Sequence, residues 1–246
     1  MINNFYYRPY VALLALLMLL TAPSQAGVVL LSTRVIYPSD EPSKTLQLNN
    51  KDNIPYVMQI WTDINNPSST PETADGPFVV LPALFRIEPQ TGQSVRLTFT
   101  GNNLPQDRES VFYLNSAQIP PKNINGKGNN QMMLVLRNRL KIFYRPAKIV
   151  GEPGDATKQV RFSLNQQGGK WLLTAHNDSN YFISFVTANA VVGGQTVSFS
   201  ADMVAPKSQV SWEQEKGSRS PAGAQKVTFS FINDYGGQQQ SETALN

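Results

Sequence analysis

The chain has no cysteine and a single histidine among its 246 residues. Charge is sparse, with 21 basic against 17 acidic residues and a net charge of +4. Zinc sites built on clustered Cys and His are excluded by this composition. So is a Cys–His or Ser–His catalytic pair, unless it uses His176. His176 sits in "LLTAHNDSN", where a strand meets a turn, and reads as a surface or capping residue. No pair of carboxylates has a spacing that marks glycoside hydrolysis, and no glycine pattern cradles phosphate. The mild charge does not fit a nucleic-acid binder, which is usually far more basic. The residues therefore suggest neither an enzyme nor a cofactor, metal, nucleic-acid or small-molecule site. Trp61, Trp171 and Trp212 are dispersed and read as core residues, which leaves no aromatic platform for a glycan.

Long apolar runs are equally scarce. The longest, Val11–Leu20, follows Arg8 and ends at Ser24-Gln25-Ala26. At 10 residues it is too short to span a bilayer, and it has the form of a secretory signal cleaved after Ala26. An exported chain without disulfides must rely on its packed cores, which suits a periplasm better than an exposed extracellular surface.

The remainder is built of short, β-branched-rich segments separated by turn residues. Expected strands in the first half are 28–37, 44–48, 56–64, 78–81, 94–100, 110–119 and 131–146. Pro146 to Ala156, with Gly151, Pro153 and Gly154, reads as an interdomain hinge, and six further segments follow it. The spacing predicts two all-β sandwiches in series with a cleft between them, residues 27–148 and 149–246. The tail from Gly236 is polar and is expected to fray.

One segment breaks the rules for a strand. In "QMMLVLRNRLKIFYRP" (131–146), Met132–Leu136 is apolar on both faces, whereas Arg137, Arg139, Lys141 and Arg145 all project from one face. An apolar edge strand is a template for pairing with another chain.

Four strings give this segment a context: "STRVIYP" (32–38), "LPQDRESVFYLNSAQIPP" (104–121), "RLKIFYRPAKI" (139–149) and "INDYGG" (232–237). In order and spacing they resemble the periplasmic pilus-assembly chaperones of the chaperone–usher pathway. The resemblance spans both halves and is looser in the middle of the second. It implies two immunoglobulin-like sandwiches set in an L, or boomerang, with a cleft between them. The implied partners are fimbrial (pilin) subunits and an outer-membrane usher. Arg34 and Lys141 correspond to the cations that grip a subunit's terminal carboxylate. Met132, Leu134 and Leu136 correspond to the alternating donor-strand residues lent to the subunit's incomplete sandwich. Glu109, Arg145 and Asp234 correspond to a charged bridge between the domains. The short segment 120–130 and the absence of cysteine resemble the subfamily with a short loop before its donor strand. The resemblance gives no role to Arg137 or Arg139.

Overall fold

A computed structural model describes residues 27–122, 133–216 and 220–245. Nine strands make the first half: β1 (Val28–Leu30), β2 (Arg34–Pro38), β3 (Lys44–Asn50), β4 (Tyr56–Asp63), β5 (Phe78–Leu81), β6 (Leu84–Ile87), β7 (Gly92–Phe99), β8 (Ser110–Ile119) and β9 (Leu136–Arg145). They form two facing sheets, ordered β1-β3-β7-β5 and β2-β9-β8-β4-β6. The second half contributes β10 (Val160–Gln167), β11 (Lys170–Asn177), β12 (Ile183–Val192), β13 (Gln195–Phe199), β14 (Met203–Val204), β15 (Ser208–Glu213), β16 (Lys226–Ile232) and β17 (Gln238–Ala244). Its sheets are β10-β11-β15 and β13-β12-β16-β17, with β14 added to β12. The architecture is two immunoglobulin-like β-sandwiches.

Alternation fills each core. In the first sandwich, Leu46 and Leu48 of β3 meet Leu140, Ile142 and Tyr144 of β9 across the layer. Full burial of side chains such as Leu48 and Ile142 contributes about 1.5–3 kcal/mol each. Tyr37, Phe78, Phe99, Phe112 and Tyr144 pack edge to face or tilted, and the Phe99 amide donates to the buried Tyr37 hydroxyl at 3.1 Å. In the second sandwich, Phe162, Phe185, Trp212 and Phe229 form the equivalent cluster. Its hairpins turn on Gly168-Gly169 and Gly193-Gly194, all at positive φ, the conformation that two-residue hairpin turns require.

Two expectations need correction. The segment 28–37 is two strands, not one. The chain leaves the first sheet after Leu30, and β2 enters the second sheet parallel to β9. The tail is not frayed: Gln238–Ala244 pairs with β16 along its whole length, and Leu245 bridges to Phe162. Polar side chains misled the reading there, because ladder hydrogen bonds come from the backbone and need no apolar face. The connection between the sandwiches makes two bonds to the second one. The Tyr181 hydroxyl donates to the Gly151 carbonyl at 2.6 Å, and Asn180 Nδ2 donates to the Val150 carbonyl at 2.9 Å. His176 lies near the end of β11, half-buried, with Nε2 3.3 Å from the Ser163 hydroxyl.

Candidate functional site

β2 and β9 run side by side in parallel, and their register sets Arg34 directly opposite Lys141. Both cations stand at the seam between the sandwiches. Arg34 Nη1 donates to the Ile232 carbonyl of the second sandwich at 3.0 Å, and its guanidinium lies 5.6 Å from the centre of the Phe143 ring. Its buried Nε has no hydrogen-bond partner among the described residues. Burial lowers the Arg34 pKa, with Asp234 and Glu109 acting the other way. The Lys141 ammonium makes no hydrogen bond or ion pair among the described residues. Burial lowers its pKa, Asp202 partly offsets this, and Arg34 lowers it further. Two partly desolvated cations, neither within ion-pair distance of a described carboxylate, make a site whose chemistry is anion capture. A pocket of about 360 Å³ opens beside Arg34 at the seam, lined also by Phe143, Arg145, Phe182 and Asp234.

The apolar half of the 131–146 segment differs from its sequence reading in two ways. Regular strand begins only at Leu136, and residues 133–135 have no ladder partner among the described residues; Met132 lies outside them. In addition, β9 is an edge over only part of its length. From Lys141 onward it is flanked by β2 and β8, whereas among the described residues Leu136–Leu140 pairs with β8 alone. Leu136 follows the same alternation as the core residues Leu140 and Ile142, yet it is 49 % exposed and Leu134 is 67 % exposed. The side of the strand that fills the sandwich core therefore continues beyond the core and emerges into solvent. Met133 and Val135 are also exposed.

Glu109, Arg145 and Asp234 come together. The Arg145 guanidinium holds Asp234 with two bonds, at 2.7 and 3.1 Å, and Glu109 at 2.8 Å through Nε. Glu109 also accepts from the Phe182 amide at 2.8 Å, and its own amide donates to the Asn180 carbonyl at 3.0 Å. Burial raises the Glu109 pKa and Arg145 opposes it. Two residues of the first sandwich thus hold the second. Asp234→Ala is expected to lower the stability of the protein by roughly 1–3 kcal/mol, the worth of charge-assisted bonds lost to a partly exposed carboxylate. Thermal unfolding measures this. Affinity for a bound partner should change less, and lost binding with unchanged unfolding would move Asp234 into the binding set.

Arg137 and Arg139, without a role at the level of sequence, are not uncommitted surface charges. Arg139 makes a fork with Asp63 (2.6 and 3.4 Å) and lies over Tyr113, 3.5 Å from the ring centre. Arg137 donates to Asn115 Oδ1 at 2.6 Å and lies 4.8 Å from the centre of the Trp61 ring. Asp63, Ser69 and Asn115 are fully buried. Burial pushes the Asp63 carboxyl up, but bonds from Arg139, Asn115 and the Asn66 amide prevail and hold it below its ordinary value. Trp61, expected in the core, is buried on the outer face of its sheet, roofed by Arg137. The missed signal was alternation in β4: Tyr56, Met58 and Ile60 point into the core, so Trp61 and Asp63 must point out.

Comparison with known proteins places these features in a family. Residues 27–150 match the family described as pili and flagellar-assembly chaperone, PapD N-terminal domain. Residues 155–243 match pili assembly chaperone PapD, C-terminal domain. The chaperone protein HifB of Haemophilus influenzae is 37 % identical over 223 residues, covering 89 % of this chain and 88 % of that one. A crystal structure of the YadV chaperone superposes with a TM-score of 0.75 at 32 % identity, over 89 % of this chain and all of the other; YadV is a probable fimbrial chaperone of Escherichia coli. The SafB chaperone of Salmonella enterica, solved in complex with the SafA pilin, superposes with a TM-score of 0.73 at 25 % identity, over 91 % of this chain and 99 % of the other. With both halves matched in order and across nearly all the described residues, the chain belongs to the PapD family of pili assembly chaperones.

Proposed function

We propose that this protein captures fimbrial subunits in the periplasm and delivers them to an outer-membrane usher. It enters the periplasm through a signal removed after Ala26 and works as two domains, residues 27–148 and 149–246. The observation that carries this reading is the half-open strand β9. One end presents Leu134 and Leu136 to solvent, and five residues beyond Leu136 the strand sets Lys141 beside Arg34.

A subunit that lacks one strand of its own sandwich has an open groove. The exposed end of β9 fills that groove with Leu134 and Leu136, and Met132 extends the same alternation. Burial of the two leucines contributes roughly 3–6 kcal/mol before ordering costs. Arg34 and Lys141 grip the subunit's terminal carboxylate, which sets register. A slip of one residue would turn the donor face away from the groove. Glu109, Arg145 and Asp234 hold the cleft in which the anchor sits. Co-expression with a fimbrial subunit from the source genome tests the reading. A 1:1 complex in the periplasmic extract is expected, and a subunit recovered only as aggregate or degraded, with the chaperone free, would overturn it.

A further inference from the structure

We propose that Arg137 and Arg139 are positioning residues: with Asp63, Ser69, Asn115 and Trp61 they hold the half-paired end of β9 flat on its sheet, so that Leu134 and Leu136 meet a guest strand in one register. The proposal rests on the donor-strand reading above.

A strand end paired on one side only tends to open locally. Between Leu136 and Leu140, β9 has β8 as its sole ladder partner among the described residues, and β2 begins only opposite Lys141. The two arginines supply hold that the backbone lacks. In the ladder, Arg139 is opposite Asn115, which is opposite Trp61; Lys141 is opposite Tyr113, which is opposite Asp63. Yet Arg137 reaches Asn115 and Trp61, and Arg139 reaches Tyr113 and Asp63. Each side chain therefore leans one row toward the anchored end and spans three strands, tying β9 across β8 to β4.

The far end of these ties is built, not incidental. Asp63 accepts from Arg139, Asn115, the Ser69 hydroxyl (3.1 Å) and the Asn66 amide (2.7 Å). Ser69 Oγ accepts from Trp61 Nε1 at 3.0 Å and from Arg137 Nη2 at 3.3 Å. A buried carboxylate satisfied on all sides is a rigid mount, because its bonds tie together β9, β8 and the loop after β4. Charges placed only to keep an edge soluble would need none of these buried partners. Capture by a strand already held straight loses less conformational freedom than capture by a loose one, and affinity rises accordingly.

Hydrogen exchange on the free, full-length chaperone tests the tie without any guest. In Arg139→Ala, the β8-bonded amides of residues 136–140 should lose protection by roughly tenfold, while residues 142–144, flanked on both sides, keep theirs. Arg139→Lys should recover part of the loss. Should Arg139→Ala fail to fold, with Asp63 left unpaired, Arg137→Ala serves, because Asp63 then keeps Arg139. The purified complex with a fimbrial subunit should dissociate about tenfold faster in the same variant. Unchanged protection at 136–140 overturns the proposal, as does a loss spread evenly through β9, which marks a general structural role. Local loss with an unchanged dissociation rate overturns it too. Leu134→Glu, measured beside these, separates the two levels. If that variant dissociates no faster than wild type, the donor-strand reading has failed, whatever the exchange shows.

Discussion

Lys141→Ala is expected to leave the chaperone folded and to remove subunit capture. The Lys141 ammonium has no hydrogen bond or ion pair among the described residues, and burial disfavours its charge. Its loss therefore costs the free protein little, and thermal unfolding should not move measurably. With a subunit bound, the same partly desolvated ammonium would face the subunit's carboxylate. Truncating one partner of such a pair costs about 2–5 kcal/mol, or roughly 30-fold to several thousand-fold in affinity. Arg34→Ala should also abolish capture, but it removes the bond to the Ile232 carbonyl as well, so some loss of stability should accompany it. Wild-type yields of complex from either variant would end the anchor reading. The pH dependence gives a second check. The Lys141 pKa is lowered in the free chaperone, and a bound carboxylate would raise it. Between the free and bound values capture would take up a proton, and affinity should fall as pH rises through that window. Lys141→Arg, charged throughout, should flatten that slope.

Leu134→Glu is expected to have the opposite signature to a core mutation. Leu134 is 67 % exposed, so melting should change by no more than a surface substitution allows, about 0.5 kcal/mol. In the complex its side chain would enter the subunit's groove. Substitution by glutamate forfeits roughly 1.5–3 kcal/mol of apolar burial and adds the desolvation of a charge with no partner. Together these exceed a hundredfold loss of affinity, read by titration of a subunit or by recovery of complex. A collapsed melting point would place Leu134 in the chaperone's own core.

What the sequence disclosed follows from the range of each interaction. The period-2 alternation and the turn residues exposed both sandwiches, because strand direction and hairpin chemistry are local. Arg34 and Lys141 stood out through the strings around them, though 107 positions apart, and the parallel register of β2 and β9 was not legible. Arg137 and Arg139 stayed unexplained for the same reason. Their partners Asp63 and Asn115 lie 76 and 22 positions away, and only the pairing of β4 with β8 brings those two side by side. β14 was missed because two residues are too few to display a period, and β6 because only Pro82 and Ala83 separate it from β5. β17 was missed because its pairing is carried by the backbone.

If Arg34 and Lys141 anchor a guest's carboxylate, the parallel pairing of β2 with β9 also dictates which way that guest would point. On that side of β9, the sheet position from Leu140 back to Leu136 is unpaired, and β2 occupies it from Lys141 onward. With a guest carboxylate at Arg34 and Lys141, the chain leading to it must come from the Leu134 end. It then runs in the same direction as β9 and ends where β2 starts. Guest and β2 lie end to end as one interrupted strand, with the two cations at the join. A guest inserted the other way would bring no carboxylate to the join, so polarity is checked by the same two side chains that fix register.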